Sequence, residues 1–349
     1  MGVTKLRPRW GAIGLCLIGV VSAAERSGAA DGGLIAGLNR AIVAEENRSG
    51  SASPHLLPLL DQLAGKQLDD GSLTEAADSR QRALKIAIAA YGGDSPNAAK
   101  AMTALAEIDI LRLRYFDAEP LLTVAVADLT QRLGENNPAL SKPLADLAHI
   151  AVAHGEFERA ERLAGRANVL AGHDPARSAE ALRALGAAYA GEQRFVEGEA
   201  VLRQAVALDR RTHGDDSAEA ARSLAQLANL LLRAKRFDEV LPPIEQAIAI
   251  DQSRLGPTHP LIADDLCDLG LTYAGLKRDK DASLVIAYAM GLLGQAGDRD
   301  STRYAYAELD LAGVLRMMGY DKDADAGFAD GKRILDQAQD DDGKLEREL

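Results

Sequence analysis

Residues 256–273 read GPTHPLIADDLCDLGLTY, and this stretch decides the fold. Gly256 is suited to ending a helix, because glycine takes the left-handed backbone conformation at no steric cost, and Pro260 favours the first turn of the next helix. The residues that follow place Leu266, Leu269 and Tyr273 at helical spacing, on one face. The stretch therefore predicts a helix end, a short loop and a new amphipathic helix.

The same signals recur along most of the chain at a nearly constant interval. A Leu followed by Ala or Gly returns at intervals of 42, 42, 38, 42, 42 and 42 residues, at Leu63, Leu105, Leu147, Leu185, Leu227, Leu269 and Leu311. The helix-ending glycines recur at the same intervals, including the single short one, at Gly50, Gly92, Gly134, Gly172, Gly214 and Gly256. Two independent markers with one shared irregularity indicate an internal repeat.

Each repeat predicts two helices. Phe157, Phe195 and Phe237 fall near the middle of their units, where the first helix ends and the second begins. Phe195 and Phe237 are therefore expected to be buried where the paired helices meet. Neither helix can bury its apolar stripe alone, so neighbouring units must stack to cover it.

The pattern resembles the tetratricopeptide repeat. Its Leu-Gly-x-x-Tyr motif occurs at Leu185, Gly186 and Tyr189 and again at Leu269, Gly270 and Tyr273, and its later Ala-x-x-x-Phe motif matches Ala324 and Phe328. The 42-residue unit is similar to that of kinesin light chains. The resemblance implies an all-α fold, a right-handed α-solenoid of about seven helix-turn-helix units with an N-terminal capping helix.

The period also divides the chain into segments. We expect a signal peptide over residues 1–23, a short linker over 24–33, a capping helix over 34–50 and an array of seven units over 51–335. The remaining residues, 336–349, form a highly charged tail for which a short extra helix and disorder are equal alternatives.

The first 24 residues have the pattern of an export signal. Lys5, Arg7 and Arg9 precede an uncharged apolar run over residues 11–21, and the small residues Val21-Ser22-Ala23 suit a signal peptidase. The apolar run is shorter than the roughly 20 residues of a membrane span. We therefore expect a periplasmic or secreted protein, most simply bacterial, with no stable membrane span after cleavage.

Composition argues against several functions. The formal net charge is −12, and there is no basic run past residue 10 to hold nucleic acid. His149 and His154 lie five apart on one helix, on different faces, so they do not predict a metal site. With no phosphate-binding loop and no metalloprotease motif, the sequence predicts no catalytic residue, no cofactor and no metal, and hence not an enzyme.

A binding surface is the remaining prediction. In the family the concave face is lined by first helices, and six residues share the helical phase that would place them there. These are Lys100, Lys142, His149, Arg183, Arg222 and Asn229. Four of them are basic, which leaves two alternatives: ordinary solvated helix charge, or a basic groove for an acidic segment or a C-terminal carboxylate.

Function follows from these expectations. The sequence favours a non-catalytic scaffold of the cell envelope or exterior that binds a partner peptide or domain in its concave groove. The alternative is a regulatory or accessory subunit docked on an enzyme or an envelope assembly. Cys267, on a first helix, is either a small inner-wall residue or the site of a mixed disulfide with a partner.

Overall fold

The structure is a computed structural model that describes residues 33–297, 299 and 301–348; the predicted signal peptide lies outside these ranges. Helix α1 covers residues 33–49. Seven helix pairs follow, and we number them as units 1 to 7. In chain order the pairs are α2 (Leu57–Asp69) with α3 (Leu73–Tyr91), α4 (Pro96–Leu111) with α5 (Tyr115–Leu133), α6 (Ser141–Ala153) with α7 (Phe157–Ala171), α8 (Pro175–Gly191) with α9 (Phe195–His213), α10 (Ala218–Arg233) with α11 (Phe237–Leu255), α12 (Ala263–Gly275) with α13 (Asp279–Gln295), and α14 (Thr302–Met317) with α15 (Asp321–Glu348). The predicted all-α array of seven units is confirmed.

Local signals explain where the first helices begin. Ser95, Ser217 and Ser301 each use the side-chain oxygen to accept a hydrogen bond from a backbone N–H in the first turn of the following helix. This satisfies donors that have no partner within the helix. Three loops instead enter through a short 3-10 turn over Pro54–Leu56, Pro138–Leu140 and Pro260–Ile262.

The turn inside each unit has one recurring backbone feature. The residue eight positions after the marker Leu has a positive φ in every unit, at Gly71, Leu113, Gly155, Gln193, Lys235, Lys277 and Gly319. The next backbone N–H groups donate to carbonyls of the first helix, as Arg114 does to Asp109 at 2.8 Å. These bonds end the first helix and reverse the chain.

The single short interval lies in α7. That helix has 15 residues, whereas α3, α5, α9 and α11 each have 19. The four missing residues are about one turn of helix. Unit 3 therefore keeps its first helix and its mid-unit turn in register and is shortened at the end of its second helix.

The mid-unit aromatics differ from the prediction. Phe195 and Phe237 are only half-buried, because each is the first residue of a second helix and lies at the edge of the array. Phe237 packs against the next unit, where a Cβ added to Gly275 would lie 2.4 Å from its Cε1. The expectation that both rings are buried was wrong, and the ring of Phe237 instead covers a glycine at an interface between units.

None of the helices within the described ranges combines the length and the apolar character that crossing a bilayer requires. The tail that the sequence left open continues α15, which runs to Glu348.

Candidate functional site: the wall of first helices

The backbones of neighbouring first helices approach closely from α4 through α14, whereas the backbones of neighbouring second helices approach at most marginally among the described residues. A stack whose first helices lie closer together than its second helices must curve with the first helices inside. We call the exposed side of α4, α6, α8, α10, α12 and α14 the inner wall. It is the concave surface of the array.

Lys142 stands at the centre of an ion cluster on this wall. Its Nζ lies 2.8 Å from Glu107 of unit 2, 2.8 Å from Asp146 of its own helix and 2.7 Å from Glu180 of unit 4. Burial disfavours the ammonium, but the three carboxylates outweigh burial and hold the pKa of Lys142 above its ordinary value. The cluster joins the first helices of three units, and its net charge is negative.

The guanidinium of Arg183 also has an ion-pair partner within the protein. Its Nη1 lies 2.7 Å from Oδ2 of Asp209 on α9, and Ser223 of unit 5 donates its hydroxyl to the same oxygen at 2.5 Å. Arg183 is 7% exposed and Asp209 is 1% exposed. The guanidinium therefore joins α8, α9 and α10 from within and is not displayed to a partner.

His149 and Arg222 lie close to these groups. Burial, and next to it the positive charge of Arg183, lower the pKa of His149 to about 4, so the imidazole is neutral at pH 7. Arg222 is exposed and forms a 3.2 Å ion pair with Glu219 of its own helix. The structure thus brings Lys142, His149, Arg183 and Arg222 into one neighbourhood over units 3 to 5. Lys100, on unit 2, is exposed.

Asn229 belongs to a second region of the wall. Its Nδ2 donates to Oδ2 of Asp268 on unit 6 at 3.0 Å. Burial raises the pKa of Asp268 to about 7 despite that bond, with Asp264 and Asp310 adding to the increase. Burial also raises the pKa of Asp310 to about 6. We call Asp264, Asp265, Asp268 and Asp310 the acidic end of the inner wall.

One of these carboxyls, Asp264, forms an ion pair with an arginine. Arg303 donates to Asp264 from Nη2 at 2.8 Å and from Nε at 3.1 Å. Four carboxyl groups leave an excess of potential negative charge over this one guanidinium at units 6 and 7. The raised pKa values of Asp265, Asp268 and Asp310 reduce that charge at neutral pH, because they favour the protonated carboxyls.

The thiol of Cys267 is not activated as a nucleophile. Cys267 is buried, and burial raises the pKa of its thiol, so the reactive thiolate is disfavoured. Within the described ranges no group of three or more His, Cys, Asp and Glu side chains is placed to hold a metal ion.

The sequence missed a set of ion pairs that join second helices. In each, an arginine near the start of one second helix reaches a glutamate of the preceding unit. The pairs are Arg159 with Glu119 at 2.7 Å, Arg194 with Glu161 at 3.0 Å, and Arg236 with Glu199 at 2.5 Å. The three glutamates were a usable signal, because they recur at 42 and 38 residues, as the marker Leu residues of the same units do.

Comparisons with known proteins agree with this architecture. The profile of the tetratricopeptide repeat family matches residues 177–253, which lie within units 4 and 5. No curated protein matches the chain. Among solved structures, BtubC (BKLC) from P. vanneervenii is 18% identical, with a TM-score of 0.50 over 65% of this chain and 92% of that one.

Two further structures cover more of the array. A Rap protein complexed with Competence and Sporulation Factor is 11% identical, with a TM-score of 0.56 over 88% of this chain and 86% of that one. The apo form of RapI is 11% identical, with a TM-score of 0.54 over 80% of this chain and 99% of that one. At such identities the likeness shows the fold alone. The family profile thus identifies tetratricopeptide repeats within units 4 and 5, and the structural neighbours show the same fold over most of the chain.

Proposed function

We propose that this protein is a non-catalytic scaffold that holds a peptide segment of a partner protein against its inner wall. The observation that carries the proposal is the continuity of that wall, whose first helices are tied together by ion pairs such as those of Lys142. Such fixed polar groups bind without first having to be ordered, which lowers the entropic cost of association. The Rap structure described above contains a bound factor, which supports binding as a use of this architecture.

Charge distinguishes two parts of the wall. Exposed Arg222 and Lys100 supply positive charge over units 2 to 5, and the acidic end supplies carboxyls at units 6 and 7. Lys142 and Arg183 add little net positive charge, because each already has carboxylate partners. A uniformly acidic ligand is therefore a poorer match than a segment with charges of both signs, whose acidic groups lie at Lys100 and Arg222 and whose basic groups lie at the Lys142 cluster and the acidic end.

Site-specific photo-crosslinking tests the proposal in the cells that make the protein. A benzophenone amino acid replaces Ala225, a half-buried residue of the inner wall, or Val196, which is 81% exposed on a second helix. We expect a crosslinked partner from the Ala225 position and none from the Val196 position. Crosslinks from Val196 alone would place recognition outside the inner wall and contradict the proposal.

We also propose that the protein acts outside the cytoplasm. The basic start, the apolar run over residues 11–21 and the Val21-Ser22-Ala23 sequence support export. The exported form is expected to begin at Ala24 or Glu25. Intact-mass measurement of protein from the exported fraction tests this, and a mass that retains Met1 would contradict it.

A further inference from the structure

The first unit and the loop before the sixth unit are in contact, 191 residues apart. Nε2 of His259 lies 3.2 Å from the carbonyl oxygen of Leu68, at the end of α2. The Nδ1 atom of the same ring accepts the backbone N–H of Leu261 at 3.2 Å and so caps a short helical turn. Nδ1 is therefore unprotonated, and Nε2 carries the hydrogen that it donates to Leu68. His259 is 5% exposed, so this contact is buried.

Gly71 allows the two segments to approach closely. A Cβ added there would lie 2.9 Å from Cδ of Pro260 and 3.3 Å from Nε2 of His259. Its positive φ does not by itself demand glycine, because four other units place a larger residue in the same conformation at the same position: Leu113, Gln193, Lys235 and Lys277. The missing side chain at Gly71 therefore makes room for Pro260.

Unit 2 also lies within electrostatic range of units 6 and 7. Tyr115 begins the second helix of unit 2, and burial raises the pKa of its phenol to about 12, with Asp264 of unit 6 adding to the increase. Unit 1 thus meets the start of unit 6, and unit 2 faces the start of units 6 and 7. The offset is five units at the first place and four to five at the second, so the array completes about one superhelical turn in five units, with the loop before unit 6 touching unit 1.

We propose that His259 and Pro260 form a clasp with Leu68 and Gly71, and that this clasp closes the sideways route between successive turns to the inner wall. The inference rests on the proposed function of that wall. With the clasp shut, a partner segment reaches the wall along the superhelix axis. Opening the clasp lengthens the coil and admits a segment from the side.

Two variants open the clasp by different means. His259→Asn keeps the cap, since Asn137 has the same role in the loop before unit 3 and accepts the N–H of Ala139 at 2.9 Å. The shorter side chain cannot also reach Leu68. Gly71→Gln places a side chain against Pro260, and the backbone tolerates it as it does Gln193. Gly155→Gln is the matched control, because Gly155 has the same position in unit 3, φ of +75° and no atom within 4 Å of an added Cβ.

Small-angle X-ray scattering and hydrogen exchange on the full chain measure opening. We expect a larger maximum dimension and faster exchange over residues 66–73 in His259→Asn and Gly71→Gln, with Gly155→Gln unchanged in both. If the two clasp variants scatter and exchange as Gly155→Gln does, there is no clasp. Far-ultraviolet circular dichroism checks that all variants keep the helix content of the parent.

An exposed cysteine on the inner wall reports access without any partner. The rate at which a maleimide carried by a bulky polyethylene glycol modifies Lys100→Cys should rise severalfold in the clasp variants and not in Gly155→Gln, because the axial route hinders a bulky reagent. Peptide mapping counts Cys16 and the buried Cys267 separately. A longer particle with an unchanged rate at position 100 would show that the clasp does not control access, and so would overturn the proposal. Neither readout needs the partner, so failure here is distinguishable from failure of the proposed binding function.

Discussion

Arg183 and Asp209 form an ion pair, 2.7 Å from Nη1 to Oδ2, in the interior of unit 4. The first residue lies on a first helix and the second on the paired second helix, and Ser223 of unit 5 completes the group. A buried ion pair costs desolvation on both sides, so removing one partner leaves an uncompensated charge. Removing one partner therefore lowers the free energy of unfolding by more than the intact pair contributes to it.

Arg183→Met should lower the free energy of unfolding by about 3–5 kcal/mol, because it leaves the Asp209 carboxylate buried without its cation. Urea denaturation measures the loss. Arg222→Met is the control, since its ion pair with Glu219 is exposed and such pairs contribute roughly 0–1 kcal/mol. Equal losses in the two variants would contradict the buried role of Arg183.

The same pair shows what the sequence could and could not predict of the site. Helical phase placed Arg183 on the inner wall, but phase does not reveal a partner 26 residues away. A signal was present, since Asp209 occupies a position where Ala87, Leu129 and Leu293 stand in other units, with Asp251 of unit 5 the other carboxylate there. A carboxylate within an otherwise apolar stripe indicates a buried polar partner.

The fold was more predictable than the site. The 42-residue period predicted the position of each first helix, and the one interval of 38 residues corresponds to the shortened α7. The clasp was not predictable, because it joins Leu68 to His259 across a superhelical turn and depends on the pitch of the array. No feature of one repeat specifies that pitch, which accumulates from small rotations between neighbouring units.

Two glycine substitutions should have opposite effects on stability. Gly275→Ala places a methyl group against the ring of Phe237 and should destabilise by about 1–3 kcal/mol through overpacking. Gly165→Ala lies inside α7, where an added Cβ meets no atom within 4 Å, and should stabilise by about 0.5–1 kcal/mol by reducing the entropy of the unfolded chain. Thermal unfolding measures both, and the same sign for the two would refute the packing of Phe237 on Gly275.

Stability should fall as the pH rises across the range in which Asp268 titrates. Burial raises its pKa to about 7, whereas an unfolded Asp titrates near 4. Between these values the folded protein holds a proton that the unfolded chain has released, so the folded state loses stability from about pH 4 until about pH 7. Above about pH 7 both the folded and the unfolded chain have released this proton, so the loss of stability does not increase further.

Asp268→Asn tests this titration. The amide oxygen can still accept the hydrogen bond from Asn229, but the side chain no longer ionises. The variant should therefore gain stability relative to the parent at pH 8 and much less at pH 5, as measured by urea denaturation at the two pH values. Parallel pH profiles for variant and parent would show that Asp268 is an ordinary solvated carboxylate.

The final prediction concerns the exposed positive charges of the inner wall. A basic groove that includes Arg183 cannot be tested by reversing the charge of that residue. Arg183→Glu would place a second carboxylate beside the buried carboxylate of Asp209. Lys100 and Arg222 are exposed and can be reversed without breaking a buried pair. Lys100→Glu with Arg222→Glu should reduce the yield of partner crosslinked at position 225 and reduce its dependence on salt, since surface charges act together through a screened field.

Lys85→Glu with Lys332→Glu is the matched control, because both residues are exposed on second helices and the change in net charge is the same. We expect the control to crosslink as the parent does, with the helix content of all proteins equal by circular dichroism. If both double variants lose crosslinking equally, net charge and not the inner wall governs association. If neither loses it, apolar contacts on the wall carry recognition, and the two exposed cations are solvated helix charge.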